Sequence, residues 1–170
     1  SSGFKAMCLT VDTVVAGNRE RDHRWVFTTP PKLTLKSLLS FASHPRWSIN
    51  YLLNKKFELA NVSHFTKKGS SIAKGVMEYI NEQYDPAMSW KDAEYVIKKW
   101  GGPFALKGVM SVDDAKRAVE IGASAIMLSN HGGRQLDGSR SPFDQLPAIV
   151  DAVGGKIEII LDGGIRRGTH

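Results

Sequence analysis

His131 and Arg134 stand close together in the run Ser129-Asn130-His131-Gly132-Gly133-Arg134-Gln135-Leu136-Asp137, directly after the apolar residues Ala125-Ile126-Met127-Leu128. An imidazole can accept a proton near neutral pH, and a guanidinium can grip a carboxylate through two parallel hydrogen bonds. The two glycines between them leave out side chains that would bar a ligand from the backbone. A lone histidine is more often structural; the neighbouring arginine favours the functional reading. A base, a cation and an open floor at one strand tip point to chemistry on a small organic anion.

Further polar groups follow other apolar runs in the same way. Asp12 closes the run 6–11 and is placed to orient and charge-stabilise an imidazolium, as the acid does in hydrolase triads. The plainer reading of Asp12 is a turn or cap. Lys107 ends the run 104–106, where a cation could face an electron-accepting ring or an enolate. By itself it would read as a surface lysine with a buried stem. Asp162-Gly163-Gly164-Ile165-Arg166-Arg167-Gly168 follows the run 157–161. Unmatched N–H groups at a helix start there, with Arg166 or Arg167 as charged donor, would make a phosphate site. The competing reading is a tight strand-to-helix turn with two surface arginines. His23, His44 and His64 have no metal-ligand spacing, so no metal is expected.

The elements that must position these groups alternate. Strands are expected over 6–12, 104–106, 125–128 and 157–161. Helices are expected over 90–100, with Trp90, Ala93, Ile97 and Trp100 on one side, over 112–121, and over 142–153, with Leu146, Ile149, Val150 and Val153 inward. Ser89 and Ser111 are the N-caps. Between the first strand and residue 87 lies one long insertion, about 14–87. It holds a helical pattern over 33–41 stopped by His44-Pro45, an apolar cluster at Trp47, Ile49, Tyr51, Leu52 and Leu53, and a possible short helix over 71–83.

Strand–helix alternation implies a parallel sheet, with ligands at the C-terminal strand ends. No G-x-G-x-x-G follows any strand, which favours a barrel over a dinucleotide fold. Four strands fall short of the eight that a (β/α)8 barrel builds in about 250 residues. The expected fold is a partial (β/α)8 barrel over 1–170, a single incomplete domain carrying one long loop insertion.

Composition sets the outer bounds. The 170 residues are 42% hydrophobic and 24% charged, as in a folded globular chain. No apolar run reaches the about 20 residues that span a bilayer, and the first residues lack a secretory pattern. A cytoplasmic chain is therefore expected. The single cysteine, Cys8, can form no internal disulfide and is expected to be a buried small hydrophobe. From Arg19 to Lys74 there are eleven Lys or Arg against three acids (Glu20, Asp22, Glu58), and from Gly75 onward eleven against thirteen. The basic excess thus belongs to one segment. The high overall charge is therefore no evidence of a nucleic-acid-binding domain, and none is expected; residues 19–74 would be drawn to an anionic surface. Trp47 and its neighbours read as packing before they read as a membrane contact.

The motifs together resemble the FMN-dependent 2-hydroxy acid oxidase and dehydrogenase family. The matching stretches are Leu9-Thr10-Val11-Asp12-Thr13 with Arg19-Glu20-Arg21-Asp22, Lys107-Gly108-Val109, the run Ser129 through Gly138, and Asp162 through Gly168. Within the family, His44-Pro45-Arg46-Trp47 and Tyr84-Asp85-Pro86 look most like the membrane-associated L-lactate dehydrogenases.

The resemblance implies oxidation of an L-2-hydroxy acid, lactate first, to the 2-oxo acid. His131 would be the catalytic base partnered by Asp12, and Arg134 and Arg19 would bind substrate. Thr10, Lys107, Ser129, Asp162, Gly163, Gly164 and Arg166 would bind FMN, with Lys107 at the flavin N1/O2 edge. It also implies an electron acceptor (quinone, cytochrome or oxygen), a homo-oligomer in the full-length protein, and peripheral attachment to the inner face of the plasma membrane. Glycolate oxidase or mandelate dehydrogenase activity, and an inactive phosphate-binding half-barrel, are the alternatives. The family's N-terminal strands and its last strand have no counterpart here. The isolated chain is therefore expected to be inactive.

Overall fold

A computed structural model describes residues 3–24, 34–54, 79 and 82–170. The chain forms two compact units, one of 1–18 with 84–170 and one of 19–83. In the first unit four parallel strands, β1 (Met7–Thr10), β2 (Phe104–Lys107), β3 (Ala125–Leu128) and β4 (Glu158–Leu161), lie side by side in sequence order. The sheet is open, a partial (β/α)8 barrel.

Register explains which residues meet helices. Leu9 pairs with Leu106, Leu106 with Ile126, and Ile126 with Ile159, so one apolar row runs across all four strands. Leu106 and Ile126 in that row are fully buried, as are Phe104 and Leu128 beside it. The adjoining row, Thr10, Lys107, Met127 and Ile160, points to the opposite face by strand alternation. There Cys8, Glu158 and Ile160 are exposed. This corrects the expectation of a buried Cys8. Its apolar neighbours are real, but alternation puts it on the face opposite the buried apolar row.

Helices α4 (Trp90–Trp100), α5 (Val112–Glu120) and α6 (Pro142–Val153), numbered after the three helices among the described residues of the other unit, cover the apolar rows. Each brings small or branched residues to the core: Ala93, Ala115 with Ala118, and Ile149 with Val153. Val150, expected to face inward, is instead 43% exposed. The stripe on α6 is narrower than its sequence suggests, because only Ile149 and Val153 among its residues after Pro147 are buried.

Ser89 caps α4 as expected. The Asp92 carboxylate accepts from the Ser89 backbone N–H at 2.8 Å and from its hydroxyl at 2.6 Å. These two bonds, the side-chain one first, hold the Asp92 carboxyl below its ordinary value. A depressed carboxylate stabilises the fold above its unfolded-state pKa and loses that contribution as pH falls through the folded value. Ser89→Ala removes the hydroxyl bond to Asp92 and is expected to leave a measurable stability gap at neutral pH. Thermal unfolding of both proteins should show that gap closing below the ordinary carboxylate range.

The second unit contains α1 (Glu20–Arg24), α2 (Leu35–Ser43) and α3 (Pro45–Leu53). The expected helix over 33–41 is α2, capped by Thr34, whose hydroxyl accepts from the Ser37 N–H at 3.2 Å. His44-Pro45 does end it, but Pro45 then opens α3, so the Trp47–Leu53 cluster is a helix. Proline at a first helical position loses no hydrogen bond. Trp47 stacks between Phe41 at 5.7 Å and Tyr51 at 5.2 Å, and so staples α2 to α3. The possible helix over 71–83 falls mostly outside the described residues.

Candidate active site

The strand register brings Thr10 and Lys107 side by side at the C-terminal ends of β1 and β2, on the face opposite the apolar row. The Lys107 ammonium donates to Ser129 Oγ at 2.8 Å and lies 3.4 Å from Asp162 Oδ2. One cation thus ties together the tips of β2, β3 and β4. Ser129 is fully buried. Its oxygen also accepts from the His131 backbone N–H at 3.1 Å, which leaves its own hydroxyl proton for another acceptor.

Beyond Ser129 the chain turns sharply. His131, Gly132 and Gly133 all have left-handed backbones, with φ of 57°, 66° and 67°. For glycine this costs little; for histidine it costs roughly 1–2 kcal/mol. Among the described residues His131 is the only non-glycine with a positive φ. Asn130 helps hold the turn, since its Oδ1 accepts from the Gly132 N–H at 3.1 Å and its Nδ2 donates to the Arg140 carbonyl at 3.2 Å. Strain of this kind persists where surrounding bonds impose it, and it clusters at functional sites.

The turn delivers the imidazole to Asp12. His131 Nδ1 lies 3.2 Å from Asp12 Oδ1, across 119 residues of sequence. The Asp12 side chain is 16% exposed and that of His131 34%. Asp12 Oδ2 is buried and has no partner among the described residues. Asp12 is packed from behind by Gly108, where an added Cβ would lie 2.7 Å from the Asp12 Cβ. Any side chain at 108 would force Asp12 or the backbone beside it to shift. With Nδ1 facing a carboxylate, Nε2 is the nitrogen left free to meet a substrate.

Arg134 follows on the same turn, its N–H donating to the His131 carbonyl at 3.3 Å, and its side chain is exposed. Gly163 and Gly164 follow Asp162 with φ of 99° and 90°, and Arg166 is exposed. Residues 162–170 form bends and a turn closed by His170 N–H on the Arg167 carbonyl at 3.0 Å. A helix start was expected here and is not among the described elements.

Geometry thus gathers Asp12, His131, Lys107, Ser129 and Asp162 into direct contacts and places Thr10, Arg134, Gly163, Gly164 and Arg166 on the same strand ends. Arg19 belongs to the second unit and stands on the resemblance alone. Asn130 and Gln135 escaped the sequence reading. An asparagine directly before a His-Gly-Gly turn was the signal for the first, since its short amide can bond its own backbone two residues on.

A model of the FMN-dependent dehydrogenase family matches residues 1–170. L-lactate oxidase of Nostoc sp. is 46% identical over 169 residues, 99% of this chain and 40% of that protein. L-lactate dehydrogenase of Alcaligenes faecalis is 41% identical over 170 residues, 99% of this chain and 44% of that one. Among solved structures, the monotopic membrane protein (S)-mandelate dehydrogenase superposes with a TM-score of 0.86 at 34% identity, covering 98% of this chain and 43% of its own. The chain therefore spans less than half the length of the relatives it matches.

Proposed function

The chain belongs to the FMN-dependent dehydrogenase family, and from that premise we propose that the protein carrying it oxidises an L-2-hydroxy acid to the 2-oxo acid, with L-lactate as first substrate. The observation that carries this reading is the Asp12–His131 pair, set on the same strand tips as the Lys107–Ser129–Asp162 cluster. The lactate-oxidising relatives make L-lactate the first choice. The mandelate dehydrogenase neighbour keeps an aromatic hydroxy acid as the second.

The residues present suit a flavin. The half-buried Lys107 ammonium and Thr10 stand at neighbouring strand ends, the buried Ser129 hydroxyl behind them keeps a spare proton, and two glycines after β4 leave backbone bare beside exposed arginines. Lys107, Thr10 and Ser129 would hold the ring, while Asp162, Gly163, Gly164 and Arg166 would hold the ribityl phosphate side. Bound there, FMN would supply the two-electron acceptor.

The rest is done by this chain. Arg134 clamps the substrate carboxylate through charge-assisted bonds and presents the 2-hydroxyl to His131. His131 Nε2 takes the hydroxyl proton, and Asp12 stabilises the imidazolium. The left-handed turn fixes where the imidazole stands before substrate arrives, so little reorganisation is needed during reaction. Arg19 is proposed as a second substrate contact. The partners proposed with this reading are a small 2-hydroxy acid and an electron acceptor (quinone, cytochrome or oxygen).

Residues 1–170 form, on this reading, an incomplete barrel domain that supplies part of the site. The test is to add L-lactate anaerobically to the FMN-loaded protein and follow flavin absorbance and product. Bleaching with equimolar pyruvate is expected. Bound flavin that none of L-lactate, L-mandelate and glycolate can reduce would sink the reading. The 170-residue chain alone is expected not to turn over at an enzyme's rate.

The α2–α3 hairpin is proposed as a peripheral membrane contact, on the cytoplasmic face of the plasma membrane. In support, Leu35 is 76% and Leu52 77% exposed, Leu39 and Leu53 are exposed beside them, and Lys36 and Arg46 lie on the same helices. Exposed apolar and basic residues together suit an anionic lipid interface. No helix among the described residues is long and apolar enough to cross a membrane. The protein should sediment with acidic liposomes, less so as salt rises. Binding that is absent, or indifferent to salt, would remove this contact.

A further inference from the structure

The loop that leaves β1 and the loop that leaves β3 touch at a point away from the acid–base pair. Gln135 Nε2 donates to the Val15 carbonyl at 3.0 Å, a bond spanning 120 residues. Beside it, Gly17 lies so close to the other loop that an added Cβ would overlap the Arg134 carbonyl oxygen and sit 2.6 Å from Gln135 Oε1. Gly17 does not have the left-handed φ of Gly132 or Gly133. Its backbone would suit any residue, so glycine is needed at 17 for space alone.

The two loops carry the groups assigned above. Asp12 starts the first, and His131 and Arg134 lie on the second, where the Arg134 N–H donates to the His131 carbonyl at 3.3 Å. A displacement of the Arg134 peptide therefore reaches the strained turn directly. We propose that Gly17 and Gln135 are positioning residues: together they lock the two loops, setting where the Arg134 guanidinium stands and keeping Asp12 against His131. The proposal rests on the functional reading above, because positioning has meaning only for a substrate held by Arg134.

Three variants of the FMN-loaded protein test it, namely Gly17→Ala, Gln135→Leu and Gln135→Glu. The first forces the loops apart; the second keeps volume but removes the donor. The third sets a carboxylate against the Val15 carbonyl. Hydrogen exchange is measured at the amides of 13–18 and 131–136, together with kcat and KM for L-lactate and FMN content. Faster exchange confined to both loops is expected, with KM raised about tenfold or more, the scale of a small misplacement. FMN content should be unchanged.

Exchange equal to wild type in all variants overturns the lock. Loosened loops with KM unmoved overturn the positioning role. If Gly17→Ala does not fold, the two Gln135 variants carry the same readouts. A wild-type protein that oxidises no L-2-hydroxy acid defeats the functional reading instead, while the exchange data still decide whether the lock exists.

Discussion

Replacing His131 with glutamine is expected to lower kcat/KM for L-lactate by about 10²–10⁴, the range that a positioned general base contributes. The loss should fall on kcat more than on KM, because the proton moves in the transition state and the carboxylate clamp at Arg134 is left in place. Glutamine keeps a polar side chain beside Asp12 but cannot carry the proton away at neutral pH. The geometry behind this expectation is the 3.2 Å pairing of His131 Nδ1 with Asp12 Oδ1, which leaves Nε2 for the substrate. Glutamine must also accept the left-handed backbone at 131, where φ is 57°. A His131→Asn variant serves as control, since asparagine enters that region more readily. If both variants lose the same activity, the loss lies in the imidazole. If His131→Asn keeps near wild-type turnover, His131 is not the base.

The second large effect is expected at Lys107. Lys107→Met removes a cation whose side chain is 22% exposed and which is bonded to Ser129 and paired with Asp162. Methionine matches its length and apolar stem. Fixed charges aimed at developing charge contribute roughly 10²–10³ in rate when removed singly. We expect a loss of that size in kcat, together with weaker FMN binding and a lower flavin reduction potential. The direction of the potential follows from sign, because a cation beside the ring favours the form carrying negative charge. Asp162 is left facing an apolar side chain, so Asp162→Asn in the same background should recover part of the FMN affinity but none of the rate. A potential unchanged by Lys107→Met would place the lysine away from the flavin.

Much of this arrangement was legible in the sequence, and the exceptions have physical causes. Strand–helix alternation and polar residues after each apolar run located the working end of the sheet, and they placed Asp12, Lys107, His131 and Asp162 there. The pairing of Asp12 with His131 was expected from the resemblance, whereas the contacts of Lys107 with Ser129 and Asp162 were not legible. Lys107 meets Ser129 across 22 residues and Asp12 meets His131 across 119. Such pairings depend on strand register, which single-residue patterns do not encode.

Cys8 shows the same limit from another side. Alternation assigns it a face, but only the count of helices over that face decides whether it is buried. Proline at 45 could be read as a stop, yet it equally marks a first helical turn, and the aromatic stack of Phe41, Trp47 and Tyr51 decides between them. Gly17 carried no visible signal, because glycines demanded by space look like any others in a loop. The family resemblance supplied what geometry within one sequence could not, namely the flavin.

The measurement that bears most directly on the central claim is a crystal structure of the protein carrying this chain with FMN and oxalate bound. The account expects the flavin on the open face of the sheet, with Lys107 Nζ within about 3 Å of its N1/O2 edge. The oxalate carboxylate should lie on the Arg134 guanidinium, with His131 Nε2 facing the position of the substrate hydroxyl. Flavin bound at any other surface, or oxalate held away from both Arg134 and His131, would contradict it.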